Sequence, residues 1–173
     1  MIKKAMAALM AAVIIACGSS SVWAIEKGDK SVGIRAGFSS SNTSGVAGLY
    51  FRYAFSSRFR LAPDVDYTFR HKGMDAFSLD LNAHVPVTPA VSRLTVYPLA
   101  GINYTSWNQH GTPADPSLDY NDVTTRVDRL GINAGAGADY AVTPTLRLGF
   151  EGKYRWTRNR SSCVLTVSIG YAF

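Results

Sequence analysis

Histidines, cysteines and one serine–histidine–aspartate grouping are the residues here with the chemistry to form a site. His71, His84 and His110 show no metal-ligand spacing such as His-x-x-x-His, so no metal site is expected. Ser106, His110 and Asp115 are the nearest approach to a nucleophilic set, in which a base activates the hydroxyl and an acid orients the base. Their spacing matches no such arrangement, and no catalytic residue is assigned. Gly131-Ile132-Asn133-Ala134-Gly135-Ala136-Gly137 superficially follows a dinucleotide-binding loop. Phosphate binding by such a loop depends on the N-terminus of a following helix, and none follows here. No cofactor is therefore expected. Asn42-Thr43-Ser44 and Asn103-Tyr104-Thr105 match glycosylation sequons and are read as coincidence.

The cysteines lead back to the N-terminus. Lys3 and Lys4 precede an unbroken apolar run, Ala5 to Ala16, then a small, mostly polar spacer ending at Trp23-Ala24. The run is shorter than the roughly 20 residues of a helical membrane span. The pattern reads as an export signal occupying residues 1–24 and cleaved after Val22-x-Ala24, leaving a domain at 25–173. Ile14-Ile15-Ala16-Cys17 also resembles a lipobox, so Cys17 is the alternative processing and acylation site. After the Ala24 cut only Cys163 remains, which excludes an intramolecular disulfide and a cysteine metal cluster. The formal charge of the whole chain is +6, but the basic residues form no run. An exported chain does not meet the cell's nucleic acid, so no nucleic-acid partner is expected.

From Ile25 onward the apolar period is two, the spacing of strands. Eight stretches alternate. Their apolar faces are Val32 to Phe38, Ala47 to Phe55, Phe59 to Phe69, Phe77 to Val85, Leu94 to Tyr104, Leu130 to Tyr140, Leu146 to Trp156 and Leu165 to Phe173. No charge falls on these faces. The opposite faces carry Arg35, Arg52, Arg58, Arg60, Asp64, Asp66, Asp80, Arg93, Arg129, Asp139, Arg147, Glu151, Lys153 and Arg155. They also carry the small residues Gly33, Gly37, Gly48, Gly101, Gly131, Gly135, Gly137, Gly149 and Gly170. Short turns at Ser56-Ser57, Val87 to Val91 and Val142 to Pro144 alternate with longer polar connections, the longest being Trp107 to Thr125.

Which face is inside decides between a membrane barrel and a soluble one with an apolar cavity. Aromatic residues gather at both ends of the apolar faces: Phe38, Tyr67, Phe69, Phe77, Tyr104, Tyr154 and Trp156 at one, and Tyr53, Phe55, Phe59, Tyr140, Tyr171 and Phe173 at the other. Two aromatic girdles around an aliphatic band belong to a bilayer-facing surface. Small residues suit an eight-stranded interior, which is just wide enough for side chains. The expected fold is therefore all-β: an eight-stranded antiparallel up-and-down transmembrane β-barrel whose paired lumen charges form a plug and not a pore. Both chain ends would be periplasmic.

The signal segment, the eight alternating stretches and the ending Ser168-Ile169-Gly170-Tyr171-Ala172-Phe173 resemble the small outer-membrane barrels of the OmpA/OmpX and opacity-protein type. The resemblance implies residence in the cell outer membrane among membrane lipids and lipopolysaccharide. It also implies recognition of the C-terminal strand ending in Phe173 by the barrel-assembly machinery. No room follows Phe173 for the peptidoglycan-binding domain of larger family members. The expected function is non-enzymatic: an envelope-structural barrel, or one binding a surface ligand at the loop Trp107 to Thr125 through Trp107, His110, Asp115, Asp119, Tyr120 and Asp122. The alternatives are a lipid A-modifying enzyme using His110, Ser106 and Asp115, and a soluble secreted ligand-binding barrel.

Overall fold

Period-two alternation over about ten residues gives a strand with two unlike faces, and eight such strands bury the polar face only by closing on themselves. The computed structural model describes residues 27–87, 93–110, 124–158 and 160–173. Its strands are β1 (Lys30–Ser39), β2 (Ser44–Ser56), β3 (Phe59–His71), β4 (Met74–His84), β5 (Leu94–His110), β6 (Thr124–Ala141), β7 (Leu146–Thr157) and β8 (Ser162–Ala172). Each pairs antiparallel with its neighbour in sequence, and β1 pairs with β8 from Ser31↔Ala172 to Ser39↔Val164, closing the barrel. Reciprocal bonds between Lys30 and Phe173 (2.9 and 3.2 Å) continue that seam to the last residue.

The faces divide as the alternation predicts. Val32, Ile34, Leu49, Phe51, Val65, Leu79, Ile102, Ile132, Phe150, Val167 and Ile169 are exposed on the outside, whereas Arg35, Arg52, Asp66, Asp80, Asn103 and Lys153 are buried within. An apolar exterior around a polar lumen excludes the soluble barrel with an apolar cavity. Aromatic neighbours contact one another at both rims. Tyr53–Phe55 (4.7 Å) and Tyr171–Phe173 (6.2 Å) lie near the chain ends, and Tyr67–Phe69 (5.7 Å) and Tyr154–Trp156 (4.6 Å) lie opposite.

The barrel has a turn end, with the start of β1, the end of β8 and the connections at 57–58 and 142–145, and a loop end. The expected Val87–Val91 turn falls largely outside the described residues. At the loop end the connection expected over Arg70 to Gly73 shrinks to Lys72-Gly73, with φ of 51° and 73°. Two consecutive positive φ values suit a tight hairpin turn, and glycine adopts the second without strain. Asn42 Nδ2 donates to the His71 and Met74 carbonyls (2.8 Å each), tying the β1–β2 connection to this hairpin.

One expectation needs correction. Trp107 to Thr125 is not all loop. Strands β5 and β6 stay paired from Leu94↔Tyr140 up to His110↔Thr124. Trp107 lies in a strand, its side chain buried, and only 111–123 connects the two. Asp115, Asp119, Tyr120 and Asp122 lie outside the described residues.

Candidate functional site

The lumen holds the densest chemistry. Five cations (Arg35, Arg52, Arg60, Lys153, Arg155) and five carboxylates (Asp64, Asp66, Asp80, Asp139, Glu151) are buried there. At the centre, Arg35 forks onto Asp66 (Nε–Oδ1 2.6 Å, Nη2–Oδ2 2.5 Å) and reaches Asp64 at 2.5 Å. Arg155 bridges Asp66 and Asp80 at 2.6 Å each. Lys153 joins Asp64 at 3.2 Å and also pairs with Asp80. Asn82 donates to Asp64 (2.9 Å), and an amide chain runs on through Asn133 and Asn103 (3.0 and 2.7 Å). These groups come from β1, β3, β4, β5, β6 and β7, so the network crosses the lumen in every direction.

Toward the turn end, Asp139 receives Arg52 and Arg60 at 2.8 Å each. Tyr97, fully buried, stacks on His84 at 4.4 Å and lies under Arg60 at 4.6 Å. Arg60 Nη2 is 3.0 Å from His84 Nδ1. The strand glycines make room for these rings. A Cβ on Gly137 would lie 2.6 Å from the Tyr97 ring, and one on Gly170 would lie 2.0 Å from the Tyr50 hydroxyl.

Of the expected inward charges, four are not in this network. Arg58 is exposed beside the 57–58 turn, and Arg93 is half-buried just before β5. Arg147 pairs with Asp29 at 3.3 Å. Arg129 sits at the loop end, where it lines a cavity of about 230 Å³ with Met74, Trp107, Gln109, Arg158 and Arg160.

On the outward strand face of the same end, beyond Phe77, the buried Asp75 meets Asn108 (3.0 Å) and His110 (2.6 Å). Burial pushes the Asp75 carboxyl up, but its bonds from Asn108 and His110 and the charge of Arg70 outweigh this and hold it below the usual range. Arg126 pairs with Asp128 at 3.1 Å nearby.

Residues 11–173 match the outer membrane protein beta-barrel domain. The chain belongs to that outer-membrane β-barrel family. Among curated proteins there is no sequence match. Solved structures share the fold. The N-terminal β-barrel domain of Pseudomonas aeruginosa OprF is 16% identical over 86% of this chain and 100% of that one, with TM-score 0.63. Neisserial surface protein A is 16% identical over 84% and 96%, with TM-score 0.65. Ail, the attachment invasion locus protein of Yersinia pestis, is 13% identical over 85% and 99%, with TM-score 0.58.

In this outer-membrane barrel the suggested nucleophilic set does not assemble. Ser106 and His110 lie four residues apart on one face of β5, which is about 13 Å along a strand. His110 instead faces Asp75 and Arg70 with the same nitrogen, Nε2, at 2.6 Å from each. Asp64, Asp66 and Asp80 stand close enough to share a cation. Arg35, Lys153 and Arg155 already supply that positive charge. Gly131, Gly135 and Gly137 lie within β6, paired on both sides, as small lumen residues and not as a phosphate loop. Trp107 and Arg129 were legible in the sequence as a binding candidate and an inward charge, but Arg158 and Arg160 beside them, and the strand position of Trp107, were not. The alternation of Thr105, Trp107 and Gln109 was the available signal.

Proposed function

We propose that this outer-membrane barrel is a non-enzymatic envelope protein with a filled lumen, presenting its loop end outside the cell and both termini to the periplasm. The lumen carries the reading: five buried cations meet five buried carboxylates. A charge removed from water stays only when paired, and a neutral, mutually bonded set leaves no continuous aqueous path. Export through cleavage after Ala24 belongs to the same proposal, as does assembly through the strand ending in Phe173. Lipopolysaccharide and other membrane lipids would contact the apolar belt. Support for the orientation comes from the start of β1, the end of β8 and the short connections 57–58 and 142–145 at one end, and the longest connection, 111–123, at the other.

A role in surface binding is favoured by the loop-end cavity around Trp107. Ail, one of the structural neighbours, is by its name an attachment protein. The test is outer-membrane fractionation with heat-modifiable gel mobility, combined with surface labelling of single cysteines in a Cys163→Ser background. A cysteine at Lys72 labels on intact cells, and one at Arg58 labels only after the outer membrane is opened. Labelling of Arg58→Cys on intact cells, or extraction without detergent, would refute the placement.

A further inference from the structure

Below the loop end, the buried lumen charges pair with opposite charges. The cavity at the loop end breaks that rule. Its walls include three arginines, Arg129 on β6 and Arg158 and Arg160 after β7, and no carboxylate is among its described lining residues. Arg160 is held in place by stacking 4.9 Å over the Trp107 ring and by a contact of 2.9 Å from Nη1 to the Met74 sulfur. Its own backbone N–H donates to the Thr157 carbonyl at 3.0 Å, which fixes the turn. The Trp107 side chain is more than nine-tenths buried in the same wall, and its indole N–H has no acceptor among the described residues. Among the described residues the cavity thus gathers three arginines and an orphaned donor and no anion to receive them.

A buried donor without an acceptor is costly, and like charges crowded together repel. Both penalties vanish if an oxyanion enters. Guanidinium forks match phosphate and sulfate oxygens in geometry and charge. The cavity is smaller than the usual drug-sized site, which limits it to about one substituted sugar ring. We propose that the loop-end cavity binds a phosphate or sulfate monoester carried on a saccharide, with Arg129, Arg158 and Arg160 on the ester and the Trp107 N–H on one of its oxygens. Such esters occur on soluble or surface glycans and on the saccharide of lipopolysaccharide. The site rests on the reading that the loop end faces outward. Its chemistry is tested separately from that orientation.

The experiment is a calorimetric titration of the folded protein in detergent micelles with glucose 6-phosphate, glucose 6-sulfate and glucose. Both esters should bind at least tenfold more tightly than glucose and weaken as salt is raised. Arg129→Gln/Arg160→Gln should lower ester affinity at least tenfold while keeping heat-modifiable mobility, and the exposed Arg126→Gln should leave it unchanged. Repeating the titration in nanodiscs assigns the source. If lipid A phosphates compete and dephosphorylated lipid A does not, the lipid's own esters occupy the site. If neither competes, the ligand is a glycan away from the membrane. Equal affinity for glucose and its esters, no ester binding at low salt, or unchanged affinity in the double variant would overturn the proposal. None of those results bears on the surface labelling that tests orientation.

Discussion

Asp66 sits at the centre of the lumen network and has no exposed surface. It accepts two bonds from Arg35 and one from Arg155, at 2.5 to 2.6 Å. Asp66→Asn keeps the shape but deletes the charge, so two guanidinium groups share fewer anions and the lumen acquires a net positive charge. Removing one partner of a buried pair costs about 3–5 kcal/mol. With a denaturant slope of about 2 kcal/mol per molar, the urea midpoint should fall by about 2 M. The assay is urea unfolding of the protein in lipid vesicles, read by heat-modifiable mobility. Arg155→Met should be similarly damaging, and the double variant, which restores neutrality, should be more stable than the sum of the two by about 1 kcal/mol or more. A midpoint shift under about 0.3 M for Asp66→Asn, with additive effects in the cycle, would refute the reasoning. It would mean that the lumen charges are solvated and pair only loosely.

Two other substitutions test the faces. Ile102 lies at mid-strand on the apolar exterior, 60% open, so Ile102→Arg should cost about 2–4 kcal/mol in vesicles. A change within about 0.5 kcal/mol, as for a water-exposed site, would contradict a lipid-facing surface. A Cβ on Gly170 would fall against the Tyr50 hydroxyl, with the Val32 carbonyl at 3.0 Å. Gly170→Ala should therefore lose about 1–3 kcal/mol by overpacking, and adding Tyr50→Phe should recover part of it. Equal stability of the single and double variants in the same vesicle assay would show that the hydroxyl is not the obstacle.

The bilayer wrote most of this fold into the sequence, and only where the bilayer acts. Between the girdles each outward residue meets lipid and each inward residue meets a crowded polar interior, so Ile102 and Asn103 differ as sharply in the chain as in the barrel. Beyond Tyr104 that contrast stops. Ser106, Asn108 and His110 follow on the same outward face and are polar, Asn108 and His110 being bonded to Asp75. The hydrophobic period therefore ends while the backbone pairing continues to His110↔Thr124. For this reason Trp107 reads as loop and is instead strand.

The lumen's composition was legible, but its connectivity was not. Arg35 meets Asp66 across a sequence separation of 31, and Arg155 meets Asp80 across one of 75. Only ring closure brings them together. The loop-end arginines were the least legible, because Arg158 and Arg160 lie outside any alternating stretch. Their meeting with Arg129 and Trp107 depends on the extended strands and on the turn after β7.

Electrical recording of the purified wild-type protein in planar bilayers tests the filled, neutral lumen most directly. The account predicts insertion, verified by heat-modifiable mobility of the reconstituted protein, without sustained single-channel conductance. A stable ohmic conductance from that folded protein would contradict it.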